Sequence, residues 1–140
     1  MLAAALCFTA GKEIDKLKII FTEKAPKPIG PYSQALMKDD LIYLSGQIAI
    51  NQATSQLDTS NIENETKQVM ENIKAVLEAA NLTTKNILKT TIYMTDLSKF
   101  KQVNEIYASY FKENPPARET VQVQALPKGA HVEISAVGMR

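Results

Sequence analysis

Arg118 is the side chain best suited to hold an anion in one orientation. A guanidinium grips a carboxylate through two parallel N–H bonds, whereas an ammonium acts as a point charge. Of sixteen basic residues fourteen are Lys, and only Arg118 and Arg140 are Arg. Arg118 follows Pro115-Pro116-Ala117, a turn that stiffens the backbone ahead of an alternating segment. Two readings stand for it: a clamp on a substrate carboxylate, or a surface ion pair with Glu119 or with a carboxylate of a partner chain.

Glu133 lies between Val132 and Ile134, so alternation turns it away from the apolar face. In a partly desolvated cleft near an Arg, such a carboxylate can orient or activate a water; on an open strand it is an ordinary solvated glutamate. Tyr32 sits in the rigid turn Gly30-Pro31-Tyr32, where its ring can wall a pocket and its hydroxyl can reach a substrate. His131 is the only histidine and a candidate base, but beside Lys128-Gly129 a solvated loop histidine is the stronger reading.

One Cys and one His are too few for a zinc site, and a Ser-His-Asp triad would hang on a single imidazole. GxGxxG, Walker, HExxH and GxSxG patterns are absent, so hydride transfer and nucleotide hydrolysis lose their usual supports. Neither a metal nor a cofactor is expected. A net charge of +1 provides no field for a polyanion without a local patch. A lone Cys makes no internal disulfide, which points to a reducing compartment such as the cytoplasm.

The 140 residues suit one domain, expected over 18–140. Residues 1–17 differ in composition, with Cys7 and a seven-residue apolar run too short to cross a bilayer. They read as a poorly ordered extension, with organelle targeting as the competing reading. Beyond them, Pro26, Pro28 and Pro31 mark an extended loop between two short strands. Residues 41–50 alternate, with Ile42, Leu44, Gly46, Ile48 and Ile50 on one face and Tyr43, Ser45, Gln47 and Ala49 on the other.

Ser60-x-x-Glu63 reads as a capping box opening a helix over 62–80, with Asn81 as its C′ residue. A strand over 87–95 follows, then a helix capped by Asp96 or Ser98 that presents Phe100, Val103, Tyr107, Tyr110 and Phe111. Residues 118–125 and 132–139 read as two strands of a hairpin. The expected order is β-β-β-α-β-α-β-β, an α+β layer with both helices on one face of a single sheet. The opposite face is expected to carry Tyr43, Ser45, Gln47, Thr120, Gln122, Glu133 and Ser135 beside Arg118. That mixture is neither a core nor an ordinary solvent face, so a second copy should cover part of it and leave a polar cleft.

Several separated segments resemble one family. Ile29-Gly30-Pro31-Tyr32-Ser33-Gln34-Ala35, Leu44-Ser45-Gly46-Gln47-Ile48, Val103-Asn104-Glu105-Ile106-Tyr107, Pro116-Ala117-Arg118, and Leu126-Pro127-Lys128-Gly129 followed by Val132-Glu133-Ile134 are similar to the RidA (YjgF/YER057c) deaminases. The likeness runs over about residues 19–139. It implies a chorismate-mutase-like fold, a homotrimer with clefts between subunits, and cofactor-free hydrolysis of 2-imino acids such as 2-iminobutanoate and 2-iminopropanoate to 2-oxo acids and ammonia. Such imino acids arise from pyridoxal-phosphate enzymes and damage others of that class. By the same resemblance Arg118 would hold the substrate carboxylate and Glu133 would place the attacking water. Tyr32, Ser45 and Gly46 would shape the cleft with Asn104 nearby, and Thr120 would add polar contact where some members carry Cys. Two readings compete with it: an endoribonuclease or translation inhibitor, a role the resemblance also implies but the dispersed Lys residues do not support, and a non-catalytic module for small carboxylates.

Overall fold

A computed structural model describes residues 17–140. The extension expected over 1–17, Cys7 included, lies outside the described residues but for Leu17. The elements follow the expected order: β1 (Lys18–Ile20), β2 (Ala35–Lys38), β3 (Leu41–Gln47), α1 (Ile62–Ala79), β4 (Ile87–Met94), α2 (Phe100–Ala108), β5 (Ala117–Gln122) and β6 (Val132–Met139). They form one mixed six-stranded sheet in the order β1-β2-β3-β6-β4-β5, with both helices on the same face.

Asn61 caps α1, its side chain accepting from the Asn64 amide at 2.8 Å. This corrects the capping-box reading: the Ser60 hydroxyl is already committed to Asp58 Oδ1 at 2.7 Å. Asn81 does end the helix. It holds φ at 58°, and the Asn81 and Leu82 amides donate back to the Glu78 and Leu77 carbonyls, the paired bonds of a left-handed C-terminal cap. Val69, Ile73, Val76 and Leu77 of α1 and Val103 and Tyr107 of α2 then close over Ile42, Met94, Ile92 and Ile134. Each such side chain, fully buried, contributes about 1.5–3 kcal/mol.

Two expectations about the strands are corrected. First, β5 and β6 are not a hairpin. The chain crosses from β4 through α2 and lays β5 parallel to β4 at the sheet edge, while β6 enters between β3 and β4, antiparallel to both. Alternation identifies a strand's two faces but not its neighbour. The register puts Thr120 beside Ile92 and Ile134, and Arg118 beside Thr90 and Ala136, on the helix-covered face. Glu133 lies beside Tyr93 and Val121 on the open face. Arg118, Thr120 and Gln122 therefore do not share a face with Glu133.

Second, the alternation of β3 breaks. Leu44 pairs with Ala136 but Gln47 pairs with Ile134, so β3 holds one extra residue there, a β-bulge. Past it Gln47 points inward, with 6% of its surface exposed, and Ser45 and Gly46 form the bulge. Gly46 is thus not a core-face position. Residues 48–50 leave the ladder and pack Ile48 and Ile50 with Ala130 in a small cluster of their own.

Candidate active site

The bulge in β3 shapes the first half of the candidate site. A cavity of 380 Å³ opens on the exposed sheet face, walled by Tyr32, Ser45, Gly46 and Glu133 on its polar side and by Ile29, Ile48, Ile50 and Pro127 on its apolar side. A Cβ built on Gly46 would overlap the Glu133 carboxylate, so the missing side chain is what lets that carboxylate lie across the bulge. Burial pushes the Glu133 carboxyl above the usual glutamate range, because desolvation disfavours its charged form. A carboxyl raised in this way is a stronger proton acceptor than an ordinary glutamate.

The walls are held by side chains chosen for their hydrogen bonds. Ser45 Oγ donates to the Ser33 carbonyl at 2.7 Å and ties β3 to the loop before β2. The Tyr32 hydroxyl accepts from the Ile29 amide at 3.2 Å, which leaves its own proton directed at other acceptors. Gln34, 2% exposed, accepts from the Thr22 amide at 2.7 Å and donates to the Thr22 and Pro26 carbonyls at 3.0 and 2.9 Å. It thereby fixes the proline-rich loop. Asn72 of α1, equally buried, donates to the Ile48 and Ile50 carbonyls, both at 3.0 Å.

The second half lies at the β5 edge. Arg118 donates from Nη1 to Asn104 Oδ1 at 2.8 Å, and its Cζ stands 5.0 Å from the Tyr107 ring centroid and 5.6 Å from that of Phe100. A guanidinium stacked on aromatic rings is oriented while most of its donors stay available. Burial raises the Tyr107 phenol, which shares a 2.7 Å hydrogen bond with Thr90, so a neutral ring lies under the cation. The alternative ion pair with Glu119 does not form. Glu119 meets Lys89 at 2.8 Å, and that contact holds its carboxyl below the usual range. A cavity of 410 Å³ beside Pro116 is lined by Arg118 and Asn104. Thr120, on the same face, has its hydroxyl oxygen buried with no hydrogen-bond partner among the described residues.

The structure thus brings Tyr32, Ser45, Gly46 and Glu133 together and groups Arg118 with Asn104, on the face that also holds Thr120, but it does not join the two groups within one chain. β5 and β6 are separated by β4, roughly 10 Å from strand to strand, and the two groups face opposite ways. His131 belongs to neither. Its ring Nδ1 lies 2.9 Å from Glu65 Oε2, and Glu65 is wholly buried. Sequence reasoning missed Gln34, Glu65 and Asn72. Their signal is a polar residue at a position where helical or strand periodicity calls for an apolar one. Among the described residues no group of three or more His, Cys, Asp or Glu is arranged to hold a metal. No helix among them is long and apolar enough to cross a membrane.

A family model described as Endoribonuclease L-PSP matches residues 22–139. A RutC family protein of Pyrococcus horikoshii is 46% identical over 123 residues, 88% of this chain and 98% of its own length. Human 2-iminobutanoate/2-iminopropanoate deaminase is 46% identical over 123 residues, 88% of this chain and 90% of its own. Among solved structures, the Rid family protein YyfA of Yersinia pestis superposes with a TM-score of 0.87 at 49% identity, covering 89% of this chain and 100% of that one. Escherichia coli TdcF with bound serine superposes at 0.85 with 36% identity, covering 88% and 98%. On a match that spans nearly all of the described residues, with relatives close to half identical over the same span, the chain belongs to the RidA (YjgF/L-PSP) family.

Proposed function

We propose that the protein is a hydrolytic deaminase of small 2-imino acids and their enamine tautomers, releasing 2-oxo acids and ammonia, in a site that two copies of the chain complete. The observation that carries this reading is the split itself. A partly buried carboxylate lies in a cavity without a guanidinium, and an oriented guanidinium lies at an exposed strand edge without a carboxylate. A substrate with an electrophilic carbon next to a carboxylate needs both. A homotrimer that places the β5 edge of each copy at the Glu133 cavity of the next supplies three such sites. The human and rodent relatives named as 2-iminobutanoate/2-iminopropanoate deaminases, and the amino acid bound in the similar TdcF structure, support the same substrate class.

In this reading Arg118 binds the substrate carboxylate through paired N–H donors, and the Tyr32 hydroxyl donates to the same group. The apolar wall of Ile29, Ile48 and Pro127 takes a short aliphatic side chain. An enamine first gains a proton at C3 and loses one from nitrogen, becoming the imine. Glu133 accepts a proton from water as the oxygen bonds to the imine carbon, and the C=N π pair moves to nitrogen. That proton passes to the nitrogen to give a carbinolamine; Glu133 then carries the hydroxyl proton to the same nitrogen, the C–N bond breaks, and ammonia leaves as the C=O closes. An imine carbon is electrophilic without further activation, so orientation and one proton carrier suffice. The test is 2-oxo acid release from 2-iminobutanoate generated in situ by a dehydratase. Wild type should turn over, and R118A should lose about 100-fold or more in kcat/KM while still assembling. Wild-type turnover in R118A would refute the carboxylate role.

A further inference from the structure

Glu65 lies in the first turn of α1, is 0% exposed, and spends its carboxylate on one short stretch of the chain. Oε1 accepts from the His131 amide at 2.6 Å and from the Val132 amide at 3.1 Å, and Oε2 meets His131 Nδ1 at 2.9 Å. The His131 carbonyl is held from the other side by the Thr95 amide at 3.1 Å. The two peptides ahead of Glu133 are therefore fixed on both flanks. They follow a loop that needs fixing: Lys128 and Gly129 both hold positive φ, 58° and 75°.

We propose that Glu65 is a positioning residue for Glu133, acting as a two-oxygen clamp on the His131–Val132 backbone rather than as a charge. The inference rests on Glu133 being the water-activating group. Burying a carboxylate is costly unless donors satisfy it. Here every donor it meets belongs to the start of β6, so the clamp fixes where that strand begins and hence where the Glu133 side chain leaves the sheet. Gly46 leaves no slack on the far side, since the carboxylate lies where a Cβ would stand. A shift in the start of β6 would push Glu133 against the β3 bulge or away from it. The clamp also sets the tautomer of His131: a carboxylate donates nothing, so Nδ1 carries the ring proton toward Glu65.

The test compares E65Q, E65D and E65L in the full-length assembled protein. Gln keeps one oxygen at the two backbone amides and offers its NH2 to His131, whereas Asp keeps the charge but draws it back by one methylene. A clamp predicts E65Q within about threefold of wild type in kcat, and E65D and E65L reduced roughly 10-fold or more with KM little changed. The opposite order, with E65D near wild type and E65Q impaired, overturns the proposal in favour of a charge role; so does a loss confined to KM, or wild-type kcat in all three. If E65L does not assemble, the order of E65Q and E65D decides.

Two readouts do not depend on turnover. In 13C NMR the Glu133 carboxyl should keep its raised titration in E65Q and fall toward the ordinary range in E65D. The other titratable groups beside it, Lys27, Tyr32 and Tyr93, are the same in both variants. In 15N NMR at about pH 8 the His131 ring proton should sit on Nδ1 in wild type and move to Nε2 in E65Q. Absence of wild-type turnover would defeat the deaminase reading and leave these two signatures to judge the clamp. An unmoved Glu133 titration in E65D would defeat the clamp alone.

Discussion

Glu133 holds an ionisable carboxyl in a partly desolvated place. Burial raises its pKa, so the folded state binds a proton more tightly than the unfolded chain does. Stability is therefore drawn down as pH rises from the ordinary glutamate range through the raised value, and above it the full cost is felt. E133Q should melt higher than wild type at pH 7.5, by about 3 °C for each kcal/mol relieved, should lose that advantage near pH 3.5, and should be inactive as a deaminase. Thermal melts at the two pH values check the sign: an E133Q advantage larger at low pH would contradict it. In wild type the acid limb of kcat/KM should lie above the usual glutamate pKa. Gly46 is the matching position. G46A must displace the Glu133 carboxylate, and we expect about 1–3 kcal/mol of destabilisation with a kcat loss larger than any change in KM, read from melts and steady-state kinetics. Arg118 stood out in the sequence by its rarity among Lys residues. The resemblance put Asn104 near the cleft, but the support from Tyr107 and Phe100 did not stand out, because α2 shows a helical apolar stripe whose members look alike whether they face a core or a cation.

At the scale of elements, periodicity and turn chemistry carried the order of strands and helices, and the Asn81 cap with it. What they could not carry was partnership. A strand alternates in the same way whichever strand lies beside it, so β5 and β6 read as a hairpin until the α2 crossover put β4 between them. The β3 bulge was hidden for a related reason: one extra residue leaves Ile42, Leu44, Ile48 and Ile50 looking like a single continuous face. Glu65 and Asn72 stand on the same stripe of α1 as Val69, Ile73 and Val76, and they were passed over because their letters are those of a solvent face. Asn72 shows what that hides. N72L should leave the Ile48 and Ile50 carbonyls unpaired and cost about 1–3 kcal/mol, with a KM increase because those residues wall the cavity. Denaturant titration with steady-state kinetics tests both parts, and unchanged KM at reduced stability would confine Asn72 to the core.

At the scale of the whole molecule, the open sheet face and the β5 edge are the surfaces left over when α1 and α2 have covered the other side. Tyr43 and Val121 stand 49% and 44% exposed there, with Ile19 at 66%. Apolar area of that kind on the face that bears the Glu133 cavity fits a surface that a second copy covers. Light scattering should give a mass three times the 15.5 kDa of one chain at micromolar concentration, and a monomer would remove the basis for a shared site. The net charge of +1 predicts weak RNA binding without a steep dependence on salt. The most direct test of the shared site mixes two inactive chains. R118A retains Glu133 and E133Q retains Arg118, so co-assembly of equal amounts creates intact sites only if the two groups come from different copies. Each variant alone should be inactive, and the mixture should recover about one quarter of wild-type deaminase activity. No recovery in co-assembled trimers would contradict the shared site.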